Sequence, residues 1–175
     1  MVGAIVLETP RLRLIAPDAE IERAVGRGRE TVAAALDVEV AADWPPPLSE
    51  DALGFWASSL EEQPSLRGWT AWYWLLMREG QPPLLCGIGG FTGAPRDGIV
   101  EIGYSLVESL HRRGLAPEAC EALIVWASRD SRVRRVIAHT FPHLRPSIRV
   151  LEKLGFALAG AGTEPGTVRY ELPLG

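Results

Sequence analysis

His111-Arg-Arg-Gly-Leu-Ala116 sits between a strand-like run, Ile99–Leu106, and a helix-like run that opens at Leu115. A short polar turn that contains Gly and opens a helix gathers several unpaired backbone N–H groups at one point. Those groups and the helix dipole make an anion site suited to phosphate. The turn therefore predicts a phosphorylated cofactor; its alternative reading is an ordinary strand-to-helix turn.

Working outward, Leu115–Ser128 reads as a long helix with Leu115, Ala119, Ala122, Leu123 and Trp126 on one apolar face. Residues 133–141 read as a strand. Residues 146–154 read as a helix with Val150, Leu151 and Leu154 inward and Gly155 as its stop. The tail reads as two short strands around residues 160–166. Before the turn, residues 69–77 and 84–92 are strand-like, and Asp97-Gly98 is hairpin chemistry. Near the start, residues 11–16 alternate as a first strand, and Pro17-Asp18 opens a helix with Pro in its first turn. Two short helices follow, near 19–26 and 29–36. Pro45-Pro46-Pro47 lies in a loop, and Ser49 caps another helix whose first turn is acidic at Glu50 and Asp51. This order predicts a mixed α/β or α+β sheet covered by helices.

The chain has 175 residues, enough for one domain over 1–175 with a sizeable core. Its net charge of −4 argues against bulk nucleic-acid binding, which needs a basic surface. Cys86 and Cys120 lack metal or redox spacing and read as buried reduced thiols, as in a cytoplasmic protein. The first eight residues lack the basic start of a signal peptide. No stretch reaches the ~18 apolar residues that span a membrane. Lys153 is the one lysine beside seventeen arginines, which reads as a composition bias.

Three blocks carry a resemblance. Glu101-Ile-Gly-Tyr-Ser-Leu106, His111-Arg-Arg-Gly-Leu-Ala-Pro-Glu-Ala119 and Ser147-Ile-Arg-Val-Leu-Glu-Lys-Leu-Gly-Phe156 resemble the GNAT acetyltransferases. With the opening Glu8-Thr-Pro-Arg-Leu-Arg-Leu-Ile15, they resemble the branch that includes the ribosomal-protein N-terminal acetyltransferases. The likeness spans about residues 8–172. It implies a mostly antiparallel sheet of about six to seven strands, splayed between Ile99–Leu106 and residues 133–141, with a bulge in the first of these. It also implies acetyl-CoA as cosubstrate and no metal.

By this resemblance, the backbone of His111, Arg112, Arg113, Gly114, Leu115 and Ala116 cradles the coenzyme A pyrophosphate. Gly114 and Ala116 match the family turn, while His111 stands where Gln or Arg is usual. N–H groups near Leu106 and Val107 face the gap that admits the pantetheine. Ser147 reaches the pantetheine arm or sulfur, or else caps the helix beside Pro146. Two positions depart from the family: Leu144 replaces a usual Asn, and Leu151 replaces the Tyr that protonates the leaving thiolate. Such a thiolate, near the ~8.5 typical of a thiol, leaves without much help.

Acetyl transfer to an amine also needs a base. Glu101 shares one strand face with Gly103 and Ser105 and is the candidate. It also reads as a solvated strand Glu, or as one that only orients the substrate. His139 and His143 are alternative bases, with bland readings as a satisfied strand histidine and a loop residue.

Three features are discounted. The Gly87-Ile-Gly-Gly-Phe-Thr-Gly93 run lacks the dinucleotide spacing and reads as a bulged strand. Trp72 and Trp74 could wall a cleft with Trp44 and Trp56, but core packing is the simpler use. Arg129, Arg132, Arg134 and Arg135 read as a solvated helix end. The expected function is an acetyl-CoA-dependent N-acetyltransferase acting by direct attack in a ternary complex. Its acceptor is a protein N-terminus or a small amine. A non-catalytic acyl-CoA-binding or sensing module and a structural domain with a vestigial turn are the alternatives. Dimers are common in the family, so a homodimer is an expectation of the resemblance alone.

Overall fold

The computed structural model describes residues 5–175, without the side chains of residues 50–54. The acidic first turn read at Glu50 and Asp51 therefore lies outside the described side chains.

Among the described residues, nine strands form one continuous sheet. They are β1 (Ile5–Glu8), β2 (Leu12–Ala16), β3 (Glu39–Val40), β4 (Ala71–Leu76), β5 (Leu84–Phe91), β6 (Ile99–Leu106), β7 (Arg135–Thr140), β8 (Ala157–Ala161) and β9 (Val168–Pro173). Five helices accompany them: α1 (Ala19–Gly26), α2 (Arg29–Leu36), α3 (Glu50–Glu62), α4 (Leu115–Ser128) and α5 (Arg145–Lys153). The sheet order is β1-β2-β4-β5-β6-β7-β9-β8, with β3 alongside β5. Among the described residues, only the β3–β5 and β6–β7 pairs are parallel. The count exceeds the six to seven strands expected because β1 and β3 are too short to carry a clear period.

The sheet separates two cores. On one face α4 and α5 cover Leu14, Trp72, Trp74, Val100 and Ile102. On the other, Ile21 of α1, Val32 and Leu36 of α2 and Trp56 of α3 pack on Ile15, Tyr73, Leu75 and Ile88. Trp72 and Trp74 therefore lie on the face opposite Trp56, and the four tryptophans build no common wall. They serve packing: Trp126 contacts the rings of Trp69, Trp72 and Phe91.

The glycine run of β5 has a steric cause. A Cβ at Gly87 or Gly89 would stand 2.6 or 2.5 Å from the Trp74 ring, and one at Gly90 would stand 1.9 Å from the Thr70 carbonyl oxygen. The ladder slips by one residue between Trp74 and Leu75, leaving Cys86 as the extra residue of β5. The bulge thus lies on β5, while the β5–β6 register runs unbroken from Gly87↔Leu106 to Phe91↔Ile102. Asp97 and Gly98 both take positive φ, 51° and 81°, and close the β5–β6 connection as a tight hairpin turn.

Several local readings shift. Asp18, not Pro17, starts α1: its carboxylate accepts from the N–H groups of Glu20 and Ile21. Ser49 makes no cap; its backbone is already helical, and its hydroxyl donates to Pro46 O at 2.6 Å, closing the proline turn. The buried stripe of α4 is Leu115, Ala119, Cys120, Leu123, Ile124 and Ala127, with Ala122 and Trp126 half-buried. That helix is apolar nearly all round, so spacing alone does not choose its inner face. In α5, Ile148 and Leu151 are buried, while Val150 and Leu154 only flank the core.

Candidate active site

The β6–β7 ladder pairs Ile99, Val100 and Glu101 with Arg135, Val136 and Ile137, then stops. Beyond Glu101 the two strands part, as the resemblance implied. Val107 N–H donates to Cys86 O at 2.9 Å. By the alternation of an antiparallel ladder, residues 103 and 105 also aim their main chain at β5, and the N–H groups of Tyr104 and Leu106 point into the gap. Val107 is thereby a correction: its N–H is occupied, and Leu106 alone of that pair serves the gap.

His111 Nε2–H donates to Leu106 O at 2.8 Å, which ties the turn to the end of β6. A carbonyl can only accept, so this ring carries its proton on Nε2. Arg112 and Gly114 both adopt left-handed backbone, with φ of 61° and 75°. The N–H groups of Arg112, Arg113, Gly114, Leu115 and Ala116 have no acceptor among the described residues. Pro117 follows with no N–H to place. The turn is therefore a run of free donors at a helix N-terminus, a set of groups that suits a pyrophosphate.

A tie that the sequence did not disclose holds this turn in place. Arg11, before β2, donates from Nη1 to Arg113 O at 2.7 Å and from Nε to Glu118 Oε2 at 2.8 Å. Glu118 Oε1 accepts from Thr9 Oγ1 at 2.6 Å and Arg11 N at 2.9 Å. Burial pushes the Glu118 carboxyl up, but the bonds from Thr9 and Arg11 outweigh it and hold it below the ordinary range. The only sequence signal for this tie was the Thr9-Pro-Arg11 stretch of the opening block, with no role attached.

Ser147 is the third residue of α5, not its cap; Leu144 occupies the cap position and offers no side-chain acceptor. The Tyr104 hydroxyl donates to Ser147 O at 3.1 Å and lies 3.3 Å from Ser147 Oγ. Burial pushes the Tyr104 phenol above its usual range, the Cys120 thiol adds to this, and the Ser147 bond opposes it. Tyr104 thus spans the gap from β6 to α5, a contact the sequence reading missed. Leu151, at the family's Tyr position, is 1% exposed in the α4–α5 core.

On the opposite face of β6, Glu101 Oε1 accepts from His139 Nδ1 at 2.8 Å. Gly103 lies next along that face, with open space where a Cβ would stand. Ser105 Oγ donates to Pro47 O at 2.6 Å, and Asp43 accepts from Ser109 N and Oγ at 2.9 and 3.0 Å, so the 41–49 loop is stitched to β6 and the turn after it. These Ser109 bonds hold the Asp43 carboxyl below its usual range. His143 lies beyond β7, stacked on Phe141 at a 5.4 Å centroid distance. Arg132 and Arg135 of the basic cluster are paired with Asp130 and Glu171. Both cysteines are fully buried, and burial pushes the Cys86 thiol up to about 12. The described residues contain no group of three His, Cys, Asp or Glu side chains placed to hold a metal, and no helix among them is long and apolar enough to cross a membrane.

Comparison with known proteins agrees with this geometry. Residues 11–157 match the family model described as an acetyltransferase (GNAT) domain. The chain is 30% identical over 155 residues to an uncharacterized N-acetyltransferase, YjdG, of Bacillus subtilis (strain 168), covering 88% of this chain and 90% of that one. Its fold resembles that of a ribosomal-protein-S5-alanine acetyltransferase from Vibrio fischeri, with a TM-score of 0.67, 17% identity and 97% and 96% of the two chains covered. It also resembles a microcin C7 self-immunity acetyltransferase, MccE, solved in complex with acetyl-CoA and AMP, with a TM-score of 0.61, 13% identity and 95% and 94% coverage. At those identities the likeness speaks for the fold alone. The chain belongs to the GNAT acetyltransferases and is an acyltransferase.

Proposed function

We propose that this protein transfers an acetyl group from acetyl-CoA to a primary amine, on a protein N-terminus or a small molecule, by direct attack in a ternary complex. The observation that carries the reading is one gap with two differently equipped ends. The free N–H groups of residues 112–116 stand where β6 leads into α4, and a carboxylate, Glu101, stands where β6 and β7 part.

Bound acetyl-CoA supplies the thioester. The amides of Arg112, Arg113, Gly114, Leu115 and Ala116 hold its pyrophosphate, and His111 keeps that turn against Leu106. The N–H groups of Tyr104 and Leu106 point into the gap; Leu106, beside the turn, meets the pantetheine arm, and Tyr104, the nearer to Glu101, stabilises negative charge on the thioester oxygen. Glu101 accepts the proton of the attacking ammonium, directly or through one water. Ser147, held by Tyr104, offers a hydroxyl to the departing sulfur. A covalent acyl-enzyme has no support, since both thiols are buried and held protonated. Cytoplasmic placement goes with reduced cysteines.

The test follows free thiol released from acetyl-CoA across a panel of N-terminal peptides and small amines. Release with at least one class is expected, falling by roughly 10²-fold or more in Glu101→Gln. Coenzyme A binding without thiol release on any amine would identify a non-catalytic acyl-CoA-binding module instead. Transfer that survives Glu101→Gln would remove Glu101 as the base.

A further inference from the structure

We infer that His139 is a positioning residue: its Nδ1–H holds Glu101 Oε1 across the mouth of the gap and leaves Oε2 facing the acceptor amine. This rests on the acetyl-transfer reading above.

The register supplies the reason such a device is needed. Glu101 is the last residue of β6 paired with β7, and Ile137 is its partner. Past this point no ladder bond orients either strand toward the other. His139 lies two residues beyond Ile137, on the same face of β7, and its ring reaches back to Glu101 at 2.8 Å. A side-chain bond thus takes over where main-chain pairing ends. A carboxylate on a strand edge otherwise samples several rotamers, and small misplacements of a reacting group are costly.

The two side chains are exposed to different degrees, 13% for His139 and 32% for Glu101. Oε1 is committed to His139, while Oε2 has no protein partner among the described residues. On the other edge of the ring, Nε2 is buried and unpartnered. A carboxylate accepts, so the bond puts a proton on Nδ1. Nε2 then keeps a bare lone pair, which is cheaper to bury than an N–H without an acceptor on a charged ring. The tautomer is thus read from the hydrogen-bond network.

The ring is also backed from behind. A Cβ at Gly162 would stand 3.0 Å from His139 Cδ2 and 2.1 Å from Thr167 Oγ1, so the end of the β8–β9 hairpin closes on the imidazole only because residue 162 is Gly. Arg169, directly across on β9, turns its Nη2 to Glu171 and makes no bond to Glu101, while its Nε has no partner among the described residues.

The test combines kinetics with a measurement that needs no turnover. His139→Ala is expected to lower kcat roughly ten- to a hundredfold while KM for acetyl-CoA changes less than about twofold. His139→Asn, whose amide N–H occupies the place of Nδ1, is expected to stay within about threefold of the parent. In the Glu101→Gln background, His139→Ala should add less than about twofold, because a residue that acts only through Glu101 has nothing left to act on. Full activity in His139→Ala, or losses that multiply in the double variant, would overturn the proposal. Nitrogen-15 NMR of the imidazole should show the Nδ1–H tautomer, lost in Glu101→Leu; an Nε2–H tautomer in an active parent protein refutes the role of His139 alone. A parent protein with the Nδ1–H tautomer that acetylates no amine refutes the transferase reading and, with it, the role of the held carboxylate.

Discussion

Replacing Glu22 by Gln should make the protein more stable at pH 8 and leave it nearly unchanged near pH 4. Glu22 points from α1 into the core against β4 and is 2% exposed. The Tyr73 hydroxyl donates to Oε2 at 3.0 Å, and Oε1 has no partner. Burial pushes the carboxyl from its ordinary 4.5 up to about 7, with the Tyr73 bond pulling the other way. Burial and the Glu22 carboxylate in turn push the Tyr73 phenol upward, so Tyr73 stays protonated throughout the window. The unfolded chain releases the Glu22 proton near 4.5 and the folded chain near 7. Between those values the folded state binds more protons, so stability falls as pH rises. The contribution is complete below 4.5 and gone once pH passes through 7. Each pH unit of the window removes about 1.4 kcal/mol, which amounts to about 3 kcal/mol in all. Gln keeps the shape and the Tyr73 partner but does not titrate. Urea unfolding of both proteins at pH 4 and pH 8 cancels the other titrating groups when the two differences are compared. A variant less stable than the parent at pH 8, or a difference that does not change with pH, would refute a buried, proton-holding Glu22.

Arg11→Ala removes the donor to Arg113 O and strands the Glu118 carboxylate; coenzyme A should bind roughly tenfold more weakly by calorimetry, in line with about 1.5 kcal/mol for a charged hydrogen bond. Gly90→Ala sets a Cβ 1.9 Å from Thr70 O, and overpacking of about 3 kcal/mol should lower the melting temperature by roughly 10 °C. Tyr104→Phe releases Ser147; a loss of about 1 kcal/mol should lower kcat about fivefold, and an unchanged kcat would show that the contact only packs α5.

The phosphate turn was legible because its signals are local. Gly114 and Arg112 take left-handed backbone, and the free donors follow from the helix start. The Asp97-Gly98 hairpin and the helices α1, α2 and α4 were legible for the same reason: turn chemistry and a 3.6-residue period act within a few residues. The inner face of α4 was legible only in part: Leu115, Ala119 and Leu123 are buried as read, but Cys120, Ile124 and Ala127 are buried where Ala122 and Trp126 were read, because apolar residues on most sides leave the period with little contrast. The glycines of β5 looked like a nucleotide loop until Trp74 was seen lying across Gly87 and Gly89.

Local pattern thus determined the elements other than the short β1 and β3, their order and the turn that suits a phosphate. It also located Glu101, Gly103 and Ser105 on one face of β6, since strand alternation is a property of the backbone. The partners of those residues were settled only in three dimensions. Glu101 meets His139 across 38 residues, Tyr104 meets Ser147 across 43, and Arg11 meets Glu118 across 107. Each meeting depends on sheet register and on where the β6–β7 ladder stops, and pairings between distant strands leave no trace in the spacing of neighbouring residues.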